Sequence, residues 1–290
     1  MNIAIIGKFH TEAFGLHIKE TLEDMGHSTL CIDPEIDFLQ YDFLGKRVKN
    51  VNKTLYQEVF QKLPKVRAKA SNKIYKKLET QKIDLVLVLH DYLNFHEVAK
   101  IRGITNSKIA LWFPDAISNF QKAMFFIADY DILFFSDRYI VDKLKSEFDL
   151  NTFYLPQCFN PKRHKKIKIN EEDRKKYNCE ITNAGNLYPS RAALLSKLNQ
   201  FDIKLWGYPP PIWLNYPKLN HILMNELVFN EEKCKAFTAA KIVLNNLHPA
   251  VIDGVNKRTF EIPACGGFQL ISYRHAVKEL FTPDKEIVCY

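Results

Sequence analysis

NIAIIGKFHTEAFGLHIKETLEDMGHSTLCI, residues 2–32, is where the fold class is first legible. The apolar run 2–6 stops at Gly7, the length and punctuation of a short buried strand. Residues 13–25 are amphipathic and close at Gly26, which predicts a helix. Residues 28–32 (STLCI) read as a second strand. A strand, a helix and a strand packed this tightly favour parallel pairing through a right-handed crossover.

The same rhythm runs outward from there. Residues 44–81 are helical in pattern and basic, interrupted by Pro64. IDLVLVL at 83–89 is continuously apolar, as expected of a strand buried on both faces. A helix over 95–101, a strand over 108–113 ended by Pro114, a strand over 132–135, a helix over 137–148 and a strand near 152–155 follow. PQCFNPKRHKKIKINEEDRKKY at 156–177 breaks the pattern with prolines and dense charge, which reads as a linker. The rhythm then restarts. Strands are predicted over 180–184, 203–206, 241–245 and 268–272, and helices over 191–199, 231–239 and 259–264. The expected architecture is α/β, with two Rossmann-like domains facing a central cleft. An N-terminal domain spans 1–157, a charged linker 158–178 and a second domain 179–290. Ligands of such sheets bind beyond the carboxyl ends of the strands.

Composition narrows the class. The chain has 290 residues, 47% hydrophobic and 26% charged, the balance of a folded domain rather than a disordered chain. No apolar run reaches the roughly 18 residues of a membrane-spanning helix. The N-terminus is a strand and turn, not a signal peptide. Six cysteines without a CxxC pair argue against a zinc knuckle and a disulfide scaffold, and for reduced thiols and a cytoplasmic location. A net charge of +8 suggests an anionic partner. Residues 46–82, from Lys46 to Lys82, concentrate lysine. A solvated helical face accounts for them, and peripheral contact with an anionic membrane at its inner face, or with a phosphorylated acceptor, is the functional alternative. Nucleic acid is not expected, because no recognisable binding module accompanies the charge.

Chemistry concentrates in the second half. Glu261 falls in the first turn of the predicted helix 259–264, where the helix dipole favours a carboxylate that can accept ribose hydroxyls. Asn256 and Arg258 lie just ahead, and the planar guanidinium suits a diphosphate. Gly266 and Gly267 permit close backbone approach or a left-handed helix cap. A capped helix with a surface arginine explains the same residues equally well. The strand ending at Gly185 leads to Asn186 and Arg191, which a solvent-facing arginine at a helix start would explain. Tyr208 follows a strand end and could stack on a base, whereas alternation directs Trp206 into the core. In the first half His10, His90, Asp91 and Asp115 stand just past strand ends. Asp115 is the first choice for a general base or acceptor contact, with His90 and Asp91 beside it, although Asp115 could simply cap a helix. The triplet Asp129-Tyr130-Asp131 reads as a turn into a strand, and His90 with His96 lacks a third ligand, so no metal is expected.

Taken together, Leu244–Asn245, residues 254–261 (GVNKRTFE), residues 264–267 (ACGG) and the ending from Phe281 to Tyr290 resemble the GT-B-fold glycosyltransferases of the group 1 type, in particular the spore-maturation protein CgeB-like branch. SDRYIVDKLKSEFDLNTFYLPQCFNP at 136–161, LWFPD at 111–115 and KIDLVLVL at 82–89 extend the likeness more weakly. The resemblance implies a metal-independent, hexosyltransferase-like enzyme that moves a sugar from a nucleoside-diphosphate sugar to an acceptor the sequence does not name. No cofactor is implied beyond that co-substrate. The donor would lie in the second, nucleotide-sugar-binding domain, with Arg191 and Arg258 on the diphosphate and Glu261 on the ribose, and the acceptor would lie in the first. In the family's E-x7-E pair Glu261 matches the second acid, and Asp253 stands where the first is usually Glu. Relatives continue through further helices, so the second domain is expected to be shortened at its C-terminus. A nucleotide-sugar epimerase on the same fold and a non-catalytic nucleotide- or glycan-binding protein are the alternatives.

Overall fold

The computed structural model describes residues 1–34, 63–120 and 122–290. Its first sheet contains β1 (Asn2–Ile6), β2 (Ser28–Ile32), β3 (Leu85–Leu89), β4 (Lys108–Phe113), β5 (Ile132–Phe135) and β6 (Thr152–Tyr154), in the order β2-β1-β3-β4-β5-β6. The pairings of β1 with β2 and β3, and of β3 with β4, are parallel. The crossovers include α1 (Phe14–Asp24), α2 (Pro64–Leu78), α3 (Phe95–Thr105) and α4 (Arg138–Phe148). Val86 and Val88 are fully buried and Leu87 and Leu89 nearly so, which is why β3 reads as an unbroken apolar run. Pro64 opens α2 rather than interrupting it, since the first helical position needs no amide donor. Helix α3 runs past residue 101 and stops at Asn106, whose left-handed conformation (φ 49°) ends it.

The second sheet contains β7 (Ile181–Ala184), β8 (Ile203–Trp206), β9 (Ile242–Asn245), β10 (Gln269–Ile271) and β11 (Val288–Cys289), in the order β11-β10-β9-β7-β8. All its pairings are parallel. Around it lie α5 (Glu171–Tyr177), α6 (Pro189–Leu195), α7 (Asn230–Ala239), α8 (Arg258–Ala264) and α9 (His275–Leu280). Numbered from its own first strand, each sheet has the doubly wound order 2-1-3-4-5, the first continuing into a sixth strand. The order reverses between β1 and β3 in one and between β7 and β9 in the other. Residues 156–177, expected as linker, carry structure: α5 is opened by a reciprocal cap between Asn170 and Asp173, and Tyr177 is buried.

The chain divides into two compact units, residues 1–113 with 120–134, and residues 114–119 with 135–290. Within the second, the start of α4 is clasped by the loop before α8. The Asp137 carboxylate accepts the amides of Ile252 (2.7 Å) and Asp253 (3.1 Å), and the Arg138 amide donates to the Asp253 carbonyl (2.9 Å). Arg138 also pairs with Glu279. A Cβ on Gly254 would overlap the Ser136 carbonyl, so this approach requires glycine.

Among the described residues no helix is long and apolar enough to cross a membrane. Of the basic stretch 46–82, positions 46–62 lie outside the described residues. On α2, Lys65, Lys69 and Lys76 are exposed, while Arg67 is drawn inward to the buried Glu97.

Candidate functional site

The second sheet's switch point, between β7 and β9, gathers two arginines around one glycine. β7 ends at Ala184, and Gly185 turns the chain with φ 149°, a conformation that favours glycine. Its neighbours leave no room for a side chain: a Cβ there would overlap Arg258 Nη1 and lie 3.2 Å from Arg191 Nη1. Gly207, at the end of β8, is needed for a matching reason, since a Cβ on it would lie 2.7 Å from the Gly185 carbonyl oxygen.

Arg191 projects from α6 and is 1% exposed. It donates to Asn246 Oδ1 (2.7 Å), the Asn186 carbonyl (2.6 Å) and the Tyr188 hydroxyl (3.1 Å), and its guanidinium lies 4.4 Å from the centre of the Tyr188 ring. Tyr188 in turn donates to the Asn246 carbonyl (3.1 Å). Arg258, the first residue of α8 and partly buried, donates to Asn183 Oδ1 (3.2 Å) and the Ala184 carbonyl (2.8 Å). All of these acceptors are neutral oxygens. Burial and the Arg258 charge lower the Arg191 pKa to about 9, and burial lowers that of Arg258. Two desolvated cations held side by side by neutral groups make an electropositive locus suited to an anion.

One turn into α8, Glu261 is 1% exposed and faces two lysines and a histidine. Its Oε1 lies 3.3 Å from His164 Nε2, 3.5 Å from Lys257 Nζ and 3.7 Å from Lys233 Nζ. Burial alone would raise this carboxyl. Lys257, Lys233, His164 and Arg258 outweigh it and hold the pKa at about 2. The second oxygen, Oε2, is buried without a hydrogen-bond partner, leaving an acceptor for an incoming hydroxyl. Asn256 is bound into an amide network: it donates to Asn245 Oδ1 (2.9 Å) and accepts from the Thr259 amide (3.2 Å), while Asn245 also donates to Gln269 (2.9 Å). That network fixes the start of α8 against β9 and β10.

The remaining sequence candidates fall as follows. Gly266 (φ 79°) and Gly267 close the C-terminal end of α8, and a Cβ on Gly267 would lie 3.0 Å from the Phe237 carbonyl oxygen. Asp253 is partly buried, and its Oδ1 accepts the Ala276 amide at the start of α9 (2.8 Å). Tyr208 is 63% exposed, whereas Trp206 is buried against Tyr177, as its alternation foretold. Asn186 is exposed and takes part through its carbonyl. The catalytic candidates divide between the units. Asp115 is exposed in the 114–119 segment of the second. His90 and Asp91 follow β3 in the first.

His90 has a left-handed backbone (φ 76°), rare for a non-glycine residue, and its ring packs 4.5 Å from that of Phe113. Asp91 Oδ2 accepts the Met124 amide (3.3 Å), and its Oδ1 is buried without a hydrogen-bond partner. Burial raises the Asp91 pKa against the opposing pull of the Met124 amide. Of the Asp-x-Asp triplet, Asp131 is held by Lys108 (2.8 Å) and Arg102 (3.0 Å) and Asp129 by Arg102 (2.8 Å). Sequence reasoning passed over Tyr188, Asn246, His164, Lys233 and Lys257. Tyr188 and Lys257 are local neighbours of Arg191 and Glu261, whereas Asn246, His164 and Lys233 reach the site through folding, and His164 lies hidden in the stretch expected as linker.

Residues 191–290 match a protein family described as glycosyl transferase-like. No curated protein matches the chain. Among solved structures, a sucrose-phosphate synthase from Thermosynechococcus elongatus aligns with TM-score 0.63 and 9% identity, over 100% of this chain and 85% of that one. The N-terminal domain of a Candida albicans trehalose-6-phosphate phosphatase gives 0.60 and 11%, over 100% and 85%. A UDP-forming alpha,alpha-trehalose-phosphate synthase from Burkholderia xenovorans gives 0.57 and 11%, over 99% and 87%. The chain shares their fold, the α/β fold of parallel sheets expected from the sequence. The family match over residues 191–290 supports glycosyl transfer.

Proposed function

We propose that this chain is a glycosyltransferase that takes its sugar from a nucleoside-diphosphate donor bound at the β7–β9 switch point. The observation that carries the reading is the pair Arg191 and Arg258, hydrogen-bonded to neutral oxygens on either side of Gly185. Transfer of a glycosyl group leaves a nucleoside diphosphate, and catalysis requires its growing negative charge to be met by fixed positive charge. Arg258, the less buried of the two, contacts the diphosphate. Arg191 acts from behind, fixing the 185–188 turn and adding its field at low dielectric. These guanidiniums supply the charge neutralisation, and the reading calls for no divalent ion. Glu261, kept ionised, offers Oε2 to a ribose hydroxyl.

The acceptor belongs with the first unit in this reading. His90 and Asp91 there are the groups proposed to contact it or take its proton, and Asp115 is the other candidate for that role. Burial raises the Asp91 carboxyl above the ordinary carboxylate value, which favours its taking up a proton.

Calorimetric titration with a panel of nucleoside diphosphates tests the donor site. Arg258→Ala and Glu261→Ala are each expected to weaken binding by about tenfold or more, the worth of a charge-assisted hydrogen bond. A 2′-deoxy or 3′-deoxy nucleotide should be discriminated by the wild type and not by Glu261→Ala. Absence of any nucleotide binding at millimolar concentration sinks the proposal. Donor turnover that requires added acceptor separates transfer from epimerisation, and nucleotide binding with no turnover of any donor identifies a binding protein.

A further inference from the structure

Cys234 on α7 and Cys265 at the end of α8 are both fully buried, with sulfurs 3.2 Å apart across 31 residues of sequence. The Cys265 thiol donates to Cys234 Sγ, and the Cys234 thiol donates to the Arg163 carbonyl (3.3 Å). Phe237, Val243 and Ile262 pack around them in one apolar cluster. All six cysteines are free thiols, and among the described hydrogen bonds this is the one that joins two sulfurs.

Closing a loop of that length is the entropic obstacle to a disulfide, and here the fold has already closed it. The neighbourhood also separates the two sulfurs chemically. The hydrogen bond from Cys265 pulls the Cys234 thiol down against burial, with Lys233 assisting, and the same bond pushes Cys265 up. Cys234 is therefore the nucleophile of the pair and Cys265 its resolving partner.

We propose that Cys234 and Cys265 are a redox-responsive dithiol that peroxide closes to a disulfide, tying α7 to the end of α8. The Cys234 thiolate attacks one oxygen of hydrogen peroxide, forming a sulfenic acid and releasing hydroxide, which takes up the proton lost from the thiol and leaves as water. The Cys265 sulfur then attacks the sulfenic sulfur, the S–O bond breaks and a second water leaves. Two thiols are oxidised by two electrons and one peroxide is reduced to two waters. The tie would brace the helix that carries Arg258 and Glu261 against the helix that carries Lys233. It stands whether or not the chain transfers sugars, because it rests on the thiols alone.

Intact-mass measurement and peptide mapping after peroxide treatment of the folded full-length chain provide the test. The expected product is lighter by about 2 Da, two hydrogens, with the Cys234 and Cys265 peptides linked and released by dithiothreitol. In Cys265→Ala the linked product should vanish and dimedone should trap a sulfenic acid at Cys234; Cys265→Ser provides the same reading should the alanine variant misfold. The exposed Cys158 serves as an internal gauge of peroxide dose. The proposal is overturned if Cys234 and Cys265 both remain alkylatable in wild-type protein whose Cys158 is already oxidised. It is overturned equally if the two-hydrogen loss maps to another pair.

Discussion

Glu261 shows how far one buried charge depends on its surroundings. Its carboxyl is held at about 2, below the ordinary value of 4.5, so the folded state binds the proton more weakly than the unfolded chain. The resulting stability is fully present above the unfolded pKa and is lost as pH falls from about 5 towards 2. Glu261→Gln should therefore be clearly less stable than wild type at pH 7. That difference should shrink steadily across this acid window, as read by urea unfolding at a series of pH values. A stability difference independent of pH between 2 and 7 would mean that the neighbouring basic groups do not act on this carboxylate. At this scale the sequence was partly legible. Arg258 and Glu261 stand out because a helix start makes sense of both. His164 and Lys233 do not, because no local pattern announces that they will meet Glu261 from distant parts of the chain.

Among the elements, α3 is the clearest case of local chemistry setting a boundary. Asn94 accepts the Glu97 amide (3.0 Å), and the Glu97 carboxylate accepts the Asn94 amide (2.8 Å). Glu97 also takes Arg67 and Ser71 from α2, so the cap doubles as the bolt between two helices. Asn94→Ala should lower stability by about 1 kcal/mol, the usual worth of such a cap, and Asn94→Asp should largely restore it. Chemical denaturation of the two variants checks this. Strands were the most legible elements, since β2, β4, β5 and β8 fall where their apolar runs predict. Helix α5 was illegible for a physical reason: in EEDRKKY six charged residues precede a single buried tyrosine, so no apolar stripe reveals the helix face.

For the molecule as a whole, a chain that divides into two compact units is expected to unfold in more than a single all-or-none step. The tryptophans allow the units to be watched separately, because Trp112 lies in the first and Trp206 and Trp213 in the second. A nucleotide bound at the β7–β9 switch point should move the second unit's transition alone, by about 2.7 kcal/mol at a hundred times its Kd. Fluorescence-detected unfolding of Trp112→Phe, and of the Trp206→Phe and Trp213→Phe double variant, with and without nucleoside diphosphate, measures each transition in turn. An equal shift in the Trp112 signal would place the ligand elsewhere.

The clasp formed by Asp137 has a practical corollary for anyone who divides this chain. A recombinant fragment beginning at residue 158 would lack the carboxylate that accepts the amides of Ile252 and Asp253, and the arginine paired with Glu279. The loop ahead of Arg258 would then lose its mooring, although every residue of the arginine cradle would still be present. A fragment beginning near residue 135 would carry the mooring with it.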